Sequence, residues 1–89
     1  MSNNIKIAEN LFYTYNNILL TLNNSKMYAS YDETLENCGV ITDLVCDRII
    51  ELLGLENNGK NFSFICTKVQ VMNGNFDDII NYYNSQKLN

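Results

Sequence analysis

Between Ala8 and Leu22 an apolar side chain recurs at steps of three and four: Ala8, Leu11, Phe12, Tyr15, Ile18, Leu19 and Leu22. With 3.6 residues per turn, that spacing gathers them on one face of an α-helix. Ahead of the stripe, Ser2, Asn3 and Asn4 offer side-chain oxygens to the free amides of a helix start. Behind it, Asn23-Asn24 tolerates the left-handed conformation that closes helices. The pattern predicts a helix over 5–23.

A second stripe runs through Tyr31, Leu35, Cys38, Thr42, Val45, Ile49 and Leu52, in steps alternating four and three, and is widened by Ile41 and Leu53. Ser30-Tyr31-Asp32-Glu33 has the form of a capping box, with Asp32 and Glu33 at the positive end of the helix dipole. Gly39 costs about 1 kcal/mol relative to Ala inside a helix, so it marks a point where a short helix would part from a longer one. Gly54 is placed as a stop. A helix over 31–53 follows.

Glu56-Asn57-Asn58-Gly59-Lys60 reads as a polar turn in which Asn-Gly favours positive backbone angles. The next segment, 62–72, supports two readings. Ile65, Thr67, Val69 and Val71 alternate and are β-branched, as in a strand. A strand needs a neighbour for its amides and carbonyls, and only 26–31 is available locally. A helix satisfies its own backbone, and Phe62, Ile65, Val69 and Met72 also fit one helical face. The helical reading is preferred; the strand would require a hairpin with 26–30 or pairing between chains. Asn75 can cap a last helix over 75–86, with Asp77 and Asp78 in its first turn and Phe76, Ile79, Ile80 and Tyr83 facing inward. The expected fold is mainly α: a single domain over 1–89, a small helical bundle built on an antiparallel helical hairpin. The alternative is α+β with a strand at 62–72.

Composition narrows the function. Six basic against ten acidic residues give a net charge of −4, which repels a phosphate backbone and disfavours nucleic acid or an anionic membrane as partner. Ile5 to Leu22 is broken by Lys6, Glu9 and several Asn, so neither a membrane span nor a signal peptide is expected. Three cysteines, Cys38, Cys46 and Cys66, form an odd set without closely spaced pairs, which fits free thiols in a reducing cytoplasm. Sixteen Asn without Pro, Trp or His suggest an AT-rich source such as a bacterium, its phages or other mobile elements.

Without His, the commonest general base and metal ligand is missing, and no Ser-His-Asp or Cys-His site can form. The cysteine spacing does not resemble a structural zinc site, so no metal or cofactor is expected. Each glycine has a turn, cap or packing explanation, and no phosphate-cradling loop is expected. Asp77 and Asp78 point in different directions and do not converge as paired acids would. The chain is not expected to be an enzyme.

One constellation stands out. Glu36, Asp43, Asp47 and Glu51 are separated by seven, four and four residues, within one sector of the second helix. The pattern places that sector opposite the apolar stripe around Val45 and Ile49. Seven of the ten acidic residues lie between Asp32 and Glu56, with Arg48 the single basic residue in that span. A one-sign stripe is ordinarily a solvated face; it is also a surface that steers a basic protein to it. Tyr13 and Tyr82 lie off their helices' apolar stripes and are candidate interface anchors. Partner-binding candidates are thus Glu36, Asp43, Asp47, Glu51, Tyr13 and Tyr82. The expected class is a small acidic binding or inhibitory protein of the immunity, antitoxin or phage anti-defence type, docking on another protein's basic surface. The alternatives are a helical homodimer enclosing a nucleotide or metabolite, and a DNA-binding regulator, whose recognition helix would ordinarily carry basic residues.

Overall fold

The first two apolar stripes each become one long helix in the computed structural model. Helix α1 spans Ser2–Ser25 and α2 spans Tyr31–Leu53; the shorter α3 (Gly59–Val69) and α4 (Phe76–Lys87) follow. The structure describes residues 2–25, 31–71 and 74–87, and within them leaves aside the side chains at 2, 22–25, 31–38 and 87. The capping box at Ser30, the stripe positions Leu22, Tyr31, Leu35 and Cys38, and Met72 fall outside the described residues or side chains. Helix α1 already begins at Ser2, so Asn3 and Asn4 sit inside it and not ahead of it. Gly39 does not interrupt α2.

With only five residues, 26–30, between them in the sequence, α1 and α2 pack as antiparallel neighbours. Ala8, Phe12 and Tyr15 of α1 are buried against Val45, Cys46, Ile49, Ile50 and Leu53 of α2. Helix α3 adds Ile65, Cys66 and Val69, and α4 adds Phe76 and Ile79. At 1.5 Å per residue, α3 and α4 are each about half as long as α1. They complete the core around one half of the hairpin, and the molecule is elongated, 47 × 22 × 17 Å.

The buried face of α2 is rotated from its expected position. Cys46 and Ile50 are buried and were not part of the stripe, whereas Ile41 is 45% exposed; on α1, Ile18 is 46% exposed. The reason is that α2 packs against two neighbours, α1 and α3. Cys46 and Ile50 lie on the flank that meets α3, a demand that the periodicity of one helix does not reveal.

Two short devices set the bundle's shape. Gly54, at φ 71°, takes the left-handed conformation. The Leu55 amide donates to the Ile50 carbonyl and the Gly54 amide to that of Glu51, both at 3.1 Å. This is a Schellman closure, which satisfies the last carbonyls of α2 and reverses the chain. Asn58 then caps α3: its backbone is extended and its side chain accepts from the Asn61 amide at 2.8 Å. Here the expected positive-angle Asn-Gly turn is corrected, since Gly59 is already the first residue of α3. A capping oxygen at Asn58 serves an amide that a tight turn would leave free. The helical reading of 62–72 holds, with α3 starting at Gly59 and ending at Val69; among the described residues there is no strand.

At the far end, the Asn75 side chain accepts from the Asp77 amide at 3.0 Å, capping α4 as its sequence indicated. Gly74 brings the backbone close to α1. A Cβ there would lie 2.8 Å from Phe12 Cζ and 3.1 Å from the Lys68 carbonyl oxygen.

Candidate functional site

Asp43, Asp47 and Glu51 all lie on the exposed side of α2. At 100° per residue they occupy one sector roughly 80° wide. Two exposed aliphatic residues accompany it: Val40, inside the sector, is 62% exposed, and Leu44, about 20° beyond its Glu51 edge, is 63% exposed. The sector is therefore mixed, apolar between carboxylates. Nor is it opposite the core. Because the buried face extends to Ile50, the acidic sector abuts it, with Asp43 about 20° from Ile50 around the helix axis. Glu36 is on the same helix in the same sector by position; its side chain is among those left aside.

The carboxylates differ in how far they are occupied. Glu51 pairs with Arg48 one turn away, both largely exposed. Asp47 accepts from the Asn57 side chain at 3.0 Å, which ties it to the loop before α3. Asp43 makes no hydrogen bond or ion pair among the described residues. Among the described carboxylates of the sector, Asp43 and Asp47 are thus the two without a cationic partner.

The two tyrosines are used inside the fold. The Tyr13 hydroxyl accepts from the Phe76 amide at 3.1 Å, occupying a free donor at the start of α4, while its ring meets Phe12 edge-on. Tyr82 stacks on Phe64 with centroids 3.9 Å apart and donates its hydroxyl to Asn61. Asn61 is buried and donates in turn to the Glu56 carbonyl at 2.7 Å. The partners from other helices lie 18 to 63 residues away, so spacing within one helix carried no sign of them. Neither tyrosine forms part of the α2 surface.

Sequence spacing also concealed a cysteine pair. Cys46 and Cys66, twenty residues apart, meet in the α2–α3 seam with Sγ atoms 2.7 Å from each other, Cys66 donating. Both are free thiols and both are buried. Among the described residues no group of three Cys, Asp or Glu is arranged to hold a metal ion. An open hollow of about 320 Å³ is lined by Thr14, Asn17, Ile18 and Thr21. All four belong to α1, so this lining lacks the polar groups converging from several elements that orient a small ligand. No described helix is long and apolar enough to cross a membrane.

No known protein family, curated protein or solved structure gives a significant match to the chain.

Proposed function

We propose that the protein is a small acidic binding protein, inhibitory in type, which docks the outward face of α2 onto a basic surface of another protein. One observation carries this reading: Val40 and Leu44 are more than 60% exposed within and beside the helical sector that carries Asp43 and Asp47. Exposed aliphatic patches rimmed by polar groups mark interaction surfaces. The aliphatic pair supplies area to bury, and the carboxylates select a basic partner and accelerate the encounter. Such a face would serve an immunity protein, antitoxin or phage anti-defence protein, and a net charge of −4 suits targets whose own surfaces bind nucleic acid.

The test is affinity capture from the native host with the wild type, the D43K/D47K variant and a Val40→Asn/Leu44→Asn variant, followed by reconstitution with the purified partner. The proposal expects a partner with a basic face. Charge reversal should slow its association at least tenfold at low salt, the deficit shrinking as salt rises, and the aliphatic changes should speed its dissociation. All variants should keep the wild-type circular dichroism. A partner bound equally well by all three proteins would overturn the surface. A retained small molecule in native mass spectrometry, or a salt-dependent DNA gel shift without a protein partner, would replace the proposal with the ligand-binding dimer or the DNA regulator.

A further inference from the structure

The cysteines in the α2–α3 seam support a second conclusion, independent of the proposed docking face. We propose that Cys46 and Cys66 form a reversible redox site, oxidised to an α2–α3 disulfide by a low-molecular-weight disulfide of the glutathione class. Their sulfurs are 2.7 Å apart. A bonded pair sits at about 2.05 Å, so closure needs a movement of roughly 0.7 Å between helices already in contact. The two sulfurs face one another, one donating to the other, which sets this pair apart from isolated buried thiols.

Access orders the steps. Cys46 is fully buried, whereas Cys66 retains 8% exposure. Cys66, as thiolate, attacks one sulfur of the oxidant RSSR; an S–S bond forms to RS and the other RS departs as thiolate. Cys46 then loses its proton to that thiolate and attacks Cys66 Sγ, expelling the second RS as thiolate, which takes up the proton lost by Cys66. The net change is two protein thiols and RSSR to one protein disulfide and two RSH: the cysteines are oxidised and the reagent reduced. Burial pushes the pKa of both thiols above the ordinary value, and the charges of Asp43 and Asp47 add to it. The exchange is therefore slow, and specific to the pair through proximity and not through thiolate abundance.

The experiment incubates the full chain with oxidised glutathione, or with a reductant, under native conditions. The protein is then denatured, alkylated and mapped by mass spectrometry. The reduced chain takes three alkyl groups, one for each cysteine. The oxidised chain is expected to take one, on Cys38, and to yield a linked Cys46–Cys66 peptide from a monomer. Closing a loop of this length should raise the melting temperature by roughly 10–20 °C. Cys38→Ser should behave as the wild type in linkage and melting. Cys66→Ala should show neither the link nor the rise. Three alkyl groups after oxidation, glutathione adducts without closure, or linkage through Cys38 would each overturn the assignment. Peptide mapping of the wild type decides the matter even if Cys66→Ala fails to fold.

Discussion

The hydroxyl of Tyr15 meets the hydroxyl of Thr42 in the closed seam between α1 and α2, a hydrogen bond between buried side chains 27 positions apart. It fixes which turn of α1 lies beside which turn of α2. Tyr15→Phe and Thr42→Val should each lower stability by about 1 kcal/mol. Their combination should cost less than the sum, with a coupling of roughly 0.5–1.5 kcal/mol. Urea unfolding of the four proteins measures it; strictly additive losses would show that the contact contributes nothing.

Two glycines should respond in opposite directions. Gly74→Ala drives a methyl group against the buried Phe12 ring and the Lys68 carbonyl, and should cost about 1–3 kcal/mol. Gly39→Ala meets nothing within 4 Å inside a continuous helix and should gain about 1 kcal/mol. Thermal melts read both.

Asn61 joins the loop before α3 to Tyr82 of α4. Asn61→Ala removes both bonds and should cost about 1–3 kcal/mol. Tyr82→Phe keeps the stack on Phe64 and should cost about 1 kcal/mol. Amide exchange in α4 should rise more in the first variant than in the second; equal exchange would deny Asn61 its bridging role.

Much of this fold was legible because each long helix carries its own two-sided pattern. The boundaries of α2 could be read from spacing and from Gly54, and the cap of α4 from Asn75. What escaped was set by contacts between elements. Cys46 and Ile50 are buried because α3 lies across them, and a stripe counted along α2 alone passes beside them. Asn58 and Gly59 read as a turn because the composition of a turn and that of a cap overlap. At the candidate surface, the acidic spacing was visible, but the exposed aliphatic pair Val40 and Leu44 beside it emerged only from the structure. Tyr13 and Tyr82 looked unoccupied because their partners come from other helices.

The buried thiols give stability a dependence on pH. Burial, reinforced by Asp43 and Asp47, raises Cys46 above the ordinary 9.0, and Cys66 is raised as well. Well below that ordinary value, folded and unfolded chains hold the same thiol protons, and the thiols make no contribution to the pH dependence. Above it the unfolded chain releases them first, so stability falls as pH rises, by at most ~1.4 kcal/mol per unit for each thiol. Unfolding with a reductant between pH 8 and 10 should show the decline, and Cys46→Ala should have a shallower slope whatever its absolute stability. An unchanged slope would mean that Cys46 ionises freely in the native protein.

The reversal closed by Gly54 and capped by Asn58 lies midway between Cys46 and Cys66, and its length works as a phase setting. One residue more or fewer between Leu55 and Asn58 would displace the start of α3 relative to the closed end of α2. Cys66 would then swing off the line to Cys46, and Ile65 and Val69 would turn with it. Length in this connection is therefore constrained even though Glu56 and Asn57 are exposed and polar. Substitution there is tolerable in a way that insertion is not.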